Sequence, residues 1–480
     1  MNELIRQFNR LGSQRKTLIQ KALSTATTGE GAGGALVPEK LEKIITNTVV
    51  RLSPEMAVVQ PEFDNQKYHE FNRLTKLPKA GGFMGEGATT PTTQASYKRE
   101  SVELKVLRRK GQVTNFLQDS SKKYIDASTA EMENHLQAHT YDIINGLKFG
   151  NAGSNKYAFD GLDKLISTNR INEVRGGTVP TDLAFLDHMI DTNIRKNGSG
   201  HDKVLMMSPE MQSLVSRLLT NVRLMQGNAG SLDSVEINGG WRLATYRSIP
   251  ILPVADMGGN DKAMGAISKS TETSGGTIPN GEYFFQVSAI TLDGESPASA
   301  EVSQTTTGSN TSTITLTFNA VDGASYYRIY CSKSTATEKL VAVIPSSVYD
   351  STGTYVSDVT GVKFTTDPST KNPALTLVAS GSFEQPDITN SVTDAMAEDL
   401  PIVATGGVYP ETVVLWDLDK YQGLGKIPYT NVGGDKFGGL VTMTPLAITD
   451  DNIPFMIKSY LALCPSFEAT SFMHRGLRVR

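Results

Sequence analysis

The sequence predicts an α+β protein of several domains, into which an all-β segment is inserted. Helical periodicity recurs over residues 127–149 and 182–197, while residues 63–115 alternate in the manner of strands. Near residue 266 the composition changes, and up to residue 380 the chain is rich in Thr, Ser, Gly, Val and Tyr without a helical pattern. At about 150 residues per domain, the 480 residues allow about three domains.

The longest helix is predicted over residues 127–149. Its apolar side chains recur at helical spacing on one face, namely Met132, Leu136, Ile143 and Leu147. Ser128 and Thr129 are suited to cap its first turn, because their hydroxyls can accept from backbone N–H groups. Gly150 is expected to end it. Two further helices are predicted over residues 182–197 and from Pro209 to about Leu219.

The segment before the long helix is expected to form a long hairpin-like arm. Between Phe63 and Glu100 the chain is polar and rich in Gly, Pro and Thr, so it has little to pack. Val102, Leu104 and Val106 alternate with polar residues and predict one apolar strand face. A two-stranded arm has marginal stability alone and needs a neighbour on which to lie.

Residues 266–380 predict an inserted β-sandwich. Tyr283, Phe285 and Val287 alternate with polar neighbours, and Asp293-Gly294 is a turn signal. Several short strands at regular spacing, over little more than 100 residues, are typical of a sandwich domain. Residues 381–480 return to mixed character.

Composition excludes several classes of protein. No apolar run approaches the roughly 20 residues of a membrane span, and the charged N-terminus lacks the pattern of a secretory signal. The protein is therefore expected in the cytoplasm, without a membrane partner. The net charge of −4 argues against a dedicated nucleic-acid binder. Two distant cysteines, Cys331 and Cys464, imply no disulfide framework.

Motifs of catalysis and cofactor binding are incomplete. The stretch Gly29–Gly34 matches G-x-G-x-x-G, but a helix-like segment precedes it where a dinucleotide site needs a strand. His135 and His139 are four residues apart, yet Leu136 stands where a zinc protease has its glutamate. The sequence therefore predicts no enzyme, no cofactor and no metal site.

Three stretches, in order, carry a resemblance to a known family. They are GGALVPEKLEKII at 33–45, GGFMGEGATTPTTQASYKRESVELKVLRRKGQVTNFLQDSS at 81–121, and the helix 127–149 followed by Asp160-Gly161-Leu162. Together they resemble the major capsid proteins of tailed bacteriophages with the Hong Kong 97-type fold. The resemblance spans residues 33–265 and, more loosely, 381–480. The segments GEYFFQVSAITLDGES and GASYYRIYCSK resemble fibronectin type III or immunoglobulin-like inserts.

The resemblance implies a division of the chain into the parts of that fold. The expected parts are an N-terminal arm (1–62), an extended loop (63–115), a peripheral domain with its spine helix and the first part of an axial domain (116–265), the immunoglobulin- or fibronectin-like insert (266–380), and the rest of the axial domain with the return to the peripheral domain (381–480). The insert is expected to project from the outer face of a shell.

The function that the resemblance implies is assembly into hexamers and pentamers of a phage head. Expected partners are copies of the chain itself, a scaffolding protein, a portal, decoration proteins, and packaged double-stranded DNA without sequence-specific contacts. The finished protein would reside in the virion. Candidate intersubunit salt-bridge residues are Arg73, Glu86, Arg99, Arg108 and Arg109. Lys76 and Lys79 are candidates for covalent cross-linking, although ordinary surface contacts by these lysines are favoured.

Two alternatives remain open at this point. One is a shell protein of an encapsulin-type nanocompartment, which shares the fold; the insert argues against it. The other is a carbohydrate-binding or adhesin protein that binds surface glycans through residues 266–380. Tyr326, Tyr327 and Tyr349 could stack on sugars, and packing in the core is the competing interpretation of these rings.

Overall fold

A computed structural model describes most of the chain from residue 54 to residue 480. The described ranges are 54–58, 60–78, 82–87, 89, 92–121, 126–196, 202–225, 233–237, 241–257, 264–404, 407–430, 440–447 and 451–480. The helix-like segment before Gly29, Gly29–Gly34 itself and the stretch 33–45 lie outside these residues. Val113–Ala130 belongs to one compact unit, and Arg51–Gln112 with Glu131–Arg480 to another.

The described helices are few and the strands many. The α-helices are α1 (Glu55–Val58), α2 (Asn115–Ser121), α3 (Ala127–Phe149), α4 (Leu162–Leu165), α5 (Ala184–Arg195) and α6 (Pro209–Met225). The strands before residues 268–379, here called the β-rich segment, are β1 (Gln60–Phe63), β2 (Tyr68–Lys76), β3 (Ser96–Glu103), β4 (Lys105–Thr114), β5 (Arg170–Asn172), β6 (Lys203–Met207), β7 (Asp233–Ile237), β8 (Trp241–Tyr246) and β9 (Ile249–Pro253).

The β-rich segment and the C-terminal part supply the remaining strands. They are β10 (Ser268–Glu272), β11 (Gly281–Thr291), β12 (Gly294–Glu295), β13 (Val302–Thr306), β14 (Thr313–Thr317), β15 (Tyr326–Ser332), β16 (Lys339–Pro345), β17 (Ser347–Tyr349), β18 (Tyr355–Phe364), β19 (Leu375–Ala379), β20 (Glu411–Asp417), β21 (Lys426–Tyr429), β22 (Thr442–Pro445), β23 (Asn452–Leu461) and β24 (Phe472–Leu477).

The long helix α3 has the bounds that the sequence predicts, but its cap is different. Asp126 accepts a hydrogen bond from the backbone N–H of Thr129 at 3.1 Å, as an N-cap residue does. The backbone N–H of Ser128 donates instead to the side-chain oxygen of Gln118 at 2.9 Å. The prediction that Ser128 and Thr129 cap the helix is therefore wrong, because both residues already lie in its first turn.

A seven-stranded mixed sheet forms the centre of the larger unit, in the order β5-β24-β20-β6-β9-β8-β7. The position of β20 inside this sheet explains the unbroken apolar run Val413–Trp416 in its sequence. Val414 and Trp416 pack in one core cluster, while Val413 and Leu415 pack in the cluster that includes α5 and α6. Because both faces of this strand are buried, neither face carries the polar residues of a half-exposed strand.

A second, five-stranded sheet packs in the same core as the C-terminal half of α3. Its order is β1-β21-β23-β22, with β4 also paired to β23. Ile143 and Leu147 of the helix share one buried cluster with Phe455 and Ile457 of β23. The apolar helix face that the sequence predicts therefore covers a sheet.

Residues 268–379 form two five-stranded antiparallel sheets. One has the order β10-β14-β18-β17 with β19 on β18, and the other β12-β11-β15-β16 with β13 on β11. Phe285 of one sheet stacks on Phe364 of the other, with 5.7 Å between ring centroids, inside a single apolar cluster. The immunoglobulin- or fibronectin-like identity of this segment stays a prediction.

The strand alternation predicted across residues 102–106 is wrong. Strand β3 ends at Glu103 and β4 begins at Lys105, so Leu104 lies between the two strands. Leu104 is buried whereas the Val106 side chain is exposed. A break of one residue changes which side chains face inward, and period-two counting does not detect such a break.

Gly150 and Gly161 allow the end of α3 and the following loop to approach closely. The backbone N–H of Gly161 donates to the carbonyl oxygen of Gly150 at 2.8 Å. A Cβ atom at Gly161 would lie 2.6 Å from the carbonyl oxygen of Gly146 and 2.7 Å from the backbone nitrogen of Gly150. Backbone atoms of a packed helix cannot move aside cheaply, so glycine is required at this position.

Gly161→Ala is therefore expected to lower the free energy of unfolding by about 1–3 kcal/mol, the usual cost of overpacking. Urea unfolding followed by circular dichroism measures the change. Gly265→Ala is the matched control, because a Cβ atom there meets nothing within 4 Å. Equal stability of the two variants would contradict the close-approach explanation.

Candidate functional site: the exposed hairpin

Strands β2 and β3 form a two-stranded antiparallel hairpin that belongs to none of the larger sheets. The register pairs Tyr68 with Glu103 and Leu74 with Tyr97. No strand lies between Lys76 and Ser96 among the residues described there. A hairpin of this kind gains little stability from its own two strands.

Arg73 of β2 connects the hairpin to the segment that follows β23. Its guanidinium donates to the carbonyl oxygens of Pro465 at 2.5 Å and Ser466 at 3.1 Å. The same guanidinium lies 3.0 Å from the Glu100 carboxylate on the partner strand. The hairpin is therefore hydrogen-bonded to its own chain through Arg73, which pairs with Lys98 in the register.

Large apolar side chains of the hairpin are left exposed. They are Tyr68, Leu74, Leu77, Phe83, Met84 and Tyr97, here called the hairpin patch. Tyr97 is 74% exposed, Leu77 69%, and Phe83 fully exposed. Scattered apolar residues on a surface are ordinary, but a group of them on one two-stranded hairpin is a candidate contact surface.

Some of the charged residues predicted for intersubunit contacts already have ionic partners within the chain. Arg73 is engaged as described, and Arg99 lies 3.5 Å from the exposed Glu70 carboxylate on the same hairpin. Arg109 makes a two-pronged contact with Asp142, with N–O distances of 2.6 and 2.9 Å. The structure thus gives three of these arginines partners within the chain.

Glu86 and Arg108 are exposed, Glu86 in a turn near the hairpin tip and Arg108 on β4. Lys76 is exposed at the end of β2, and Lys79 lies outside the described residues. The intersubunit and cross-linking roles of all seven residues remain predictions.

A buried ion network joins the β-rich segment to the rest of the larger unit. No sequence motif predicts it. Its six members are Asp163, Arg170, Glu295, Arg328, Asp399 and Arg475, and each side chain is at most 8% exposed. Arg475 lies 2.8 Å from Asp399 and 2.7 Å from Glu295. Arg328 contacts Asp163 and lies 3.0 Å from Glu295. Three arginines and three carboxylates balance in charge.

Two carboxylates of this network, Asp163 and Asp399, stay ionised in spite of their burial. Desolvation alone would raise the pKa of Asp163, but the guanidiniums of Arg328 and Arg170 outweigh it and hold that pKa well below its usual range. Desolvation likewise opposes ionisation of Asp399, whose pKa Arg170 and Arg475 lower. Such an arrangement tolerates the loss of one partner poorly.

A second contact across the same junction contains two glutamates and one arginine. Arg175 lies 2.5 Å from the fully buried Glu338 carboxylate and 3.9 Å from Glu301. Burial and the hydrogen bond with Glu301 raise the pKa of Glu338 to about 7. The hydrogen bond with Glu338 lowers the pKa of Glu301 to about 2, so the pair holds one proton at mildly acidic pH.

This pair predicts a pH-dependent stability. The pKa of Glu338 rises from 4.5 to about 7 on folding, so the folded chain binds more protons than the unfolded chain between these values. Stability contributed by Glu338 therefore falls as pH rises through this window. Glu338→Gln should match the wild type at pH 5 and melt about 2–4 °C higher at pH 8, the shift for about 1 kcal/mol.

Differential scanning calorimetry at both pH values measures this effect. Glu398→Gln is the control, because the Glu398 side chain is exposed and outside the pair. A difference between Glu338→Gln and the wild type that is the same at pH 5 and pH 8 would contradict the assigned titration.

Two of the three tyrosines considered for sugar stacking are core residues. Tyr326 and Tyr327 are 7% and 1% exposed, and their hydroxyls accept hydrogen bonds from the backbone N–H groups of Asn151 and Val321. The core-packing interpretation is confirmed for both. Tyr349 is half-buried at the edge of a cleft.

The described ranges contain neither a membrane-spanning helix nor a cluster of metal ligands. No helix among them is both long and apolar enough to cross a membrane. No group of three or more His, Cys, Asp or Glu side chains in the same residues is arranged to hold a metal ion. His139, half of the histidine pair considered above, is buried against Ser459 at 2.8 Å, and desolvation lowers its pKa to about 4.

No protein-family model matches this sequence, and no curated protein matches it. Solved structures similar to this chain include the holo-SrpI encapsulin complex of Synechococcus elongatus PCC 7942, at 10% identity and a TM-score of 0.39, covering 95% of this chain and 97% of that one. The capsid of the native GTA particle has 10% identity and a TM-score of 0.43, over 95% and 100%.

The capsid of cyanophage A-1(L) has 12% identity to this chain and a TM-score of 0.42, covering 94% of this chain and 98% of that one. Because these TM-scores are all below 0.5, the similarities alone assign neither a fold nor a function to this chain.

Proposed function

We propose that this chain is a capsid subunit with the Hong Kong 97-type fold, which assembles into the hexamers and pentamers of a tailed-phage head. The exposed hairpin is the observation that supports this most directly. Its two strands pair only with each other and join none of the larger sheets, and the hairpin patch has no cover within the described chain. Repeated copies, each covering the hairpin of the next, would bury these side chains.

Each range of residues is assigned to one part of the capsid fold under this proposal. Residues 1–62 act as the N-terminal arm and 63–115 as the extended loop. Residues 116–265 form the peripheral domain, with helix α3 as its spine, and the first part of the axial domain. Residues 381–480 complete the axial domain and return to the peripheral domain. Residues 266–380 form an immunoglobulin- or fibronectin-like domain that projects outward. Glu86 and Arg108 are exposed, which suits the proposed contacts with neighbouring subunits.

The proposed shell encloses double-stranded DNA without sequence-specific contacts. A scaffolding protein, a portal and decoration proteins are its further partners, with assembly in the host cytoplasm and the mature protein in the virion. The role is structural, and no catalytic step is proposed. An encapsulin-type compartment would use the same hairpin contacts around a protein cargo, so the contents of the particle distinguish the two.

Negative-stain electron microscopy of the recombinant chain, with and without a co-expressed scaffolding protein, tests this proposal. Closed shells, rings or tubes of repeating hexamers are expected. A uniform monomer or dimer under both conditions would contradict it. Nuclease-protected double-stranded DNA in particles from infected cells would identify a phage head, and a protein cargo without DNA would identify a nanocompartment.

Covalent cross-linking through Lys76 or Lys79 is not part of the proposed shell. Denaturing gels of purified particles are therefore expected to show a single band at the 51.9 kDa of the monomer. A ladder of multimers that disappears in Lys76→Arg or Lys79→Arg would show the opposite.

A further inference from the structure

A cleft of about 180 Å³ lies between the loop that follows α3 and the β-rich segment. The loop contributes Lys156 and Tyr157 to its wall. The other side is formed by Tyr349 and Asp350 at the end of β17 and by the chain after β19, including Glu384 and Asp387. The cleft is separate from the hairpin patch and from the buried ion network.

Two tyrosine rings meet in this cleft edge to face, with 5.8 Å between their centroids and 74° between their planes. Tyr157 is 37% exposed and its ring is supported by Gly353, where a Cβ atom would lie 3.2 Å from the ring. Gly353 also has a φ of +80°, which favours glycine. Neither phenol hydroxyl has a hydrogen-bond partner among the described residues, so both are available to a ligand.

The charges of the cleft select against anions. Lys156 is paired with Glu384 at 2.6 Å, and its ammonium lies 5.1 Å from the centroid of the Tyr157 ring. Asp350 and Asp387 each use one carboxylate oxygen to accept from backbone N–H groups of their own turns. One cation and three carboxylates leave a formal charge of −2, with carboxylate oxygens able to accept from hydroxyl groups.

We propose that this cleft binds one neutral hexopyranose ring. At about 30 Å³ per water molecule, the volume corresponds to about six waters, which suits a single sugar ring rather than an extended chain. The tyrosine rings offer an apolar surface with a polar end, matching the C–H face and hydroxyls of a pyranose. A binding site for neutral sugars goes beyond the proposed shell function and does not depend on it.

Saturation-transfer difference NMR on the full chain tests this site, with methyl α-D-glucopyranoside, methyl α-D-mannopyranoside and methyl β-D-galactopyranoside as probes. Transfer to the ring protons of at least one glycoside is expected, and none to N-acetylneuraminic acid, which is an anion. Tyr157→Ala should weaken binding about tenfold or more, about 1.4 kcal/mol. Tyr349→Phe, which keeps the ring and removes the hydroxyl, should weaken it in the same direction.

Tyr421→Ala is the matched control, since Tyr421 is 77% exposed and outside the cleft. It should bind the glycoside as the wild type does. Absence of transfer to all three glycosides, equal transfer to N-acetylneuraminic acid, or unchanged binding in Tyr157→Ala would overturn the proposal. Electron microscopy of the same samples reports shell formation independently, so failure of sugar binding and failure of assembly are distinguishable.

Discussion

Asp399→Ala is expected to lower the free energy of unfolding by about 3–5 kcal/mol, the range for breaking a buried ion pair by removing one partner. The Asp399 side chain is fully buried. It contacts Arg170, lies 2.8 Å from Arg475 and 3.2 Å from Arg328. Its loss leaves three buried guanidiniums with two carboxylates, and alanine cannot replace the hydrogen bonds.

Urea unfolding followed by circular dichroism measures this change, with Glu398→Ala as the matched control. Glu398 is the preceding residue, its side chain is 65% exposed, and its ion pair with Lys339 lies at the surface. The control should lose about 1 kcal/mol or less, as exposed pairs do. A similar small loss in Asp399→Ala would mean that the network does not hold the β-rich segment to the rest of the unit.

Leu74→Asp combined with Tyr97→Asp is expected to abolish particle formation while leaving the subunit folded. The two residues are opposite each other on the hairpin, and both are exposed in the single chain. Folding should therefore tolerate the carboxylates. In a shell the same side chains would be buried, and losing an aromatic contact residue costs about 2–4 kcal/mol at each copy of an interface.

The yield of particles by sedimentation and the circular dichroism spectrum of the soluble subunit measure the two halves of this prediction. Tyr421→Asp is the control, because Tyr421 is as exposed as Tyr97 but belongs to the loop between β20 and β21 and not to the hairpin patch. Wild-type particle yield from the hairpin variant would remove the hairpin patch from the assembly surface. Loss of particles from Tyr421→Asp as well would show that any surface charge prevents assembly.

The elements that sequence patterns predict well are those set by local periodicity. Helix α3 matches its predicted bounds because its apolar residues recur over more than three turns. Helix α6 continues to Met225, beyond the predicted end near Leu219. The cap was missed because Ser, Thr and Asp are all good cap residues, and three of them stand within four positions.

The buried network could not be predicted, because its members are spread from Asp163 to Arg475 and only the folded chain brings them together. One signal was present in the sequence. Arg328 interrupts the apolar run Tyr326–Cys331 on a strand, yet its side chain is 1% exposed. A charged residue inside an apolar strand predicts a buried partner of opposite sign, although not its identity.

The hairpin was predicted from its polar, Gly- and Pro-rich composition, whereas its exposed apolar patch was not. Phe83 has only Met84 beside it and Tyr97 stands between Ser96 and Lys98, so no periodic pattern marks them. Their exposure becomes evident only once the rest of the chain has packed without them.

Cryo-electron microscopy of assembled particles tests the central claim most directly, namely that a neighbouring copy covers the hairpin patch. We expect Leu74, Phe83 and Tyr97 of each subunit to lie against another copy of the chain, with their side chains buried. A reconstruction in which the hairpin projects into solvent, or in which its patch folds against its own subunit, would contradict this account of the protein.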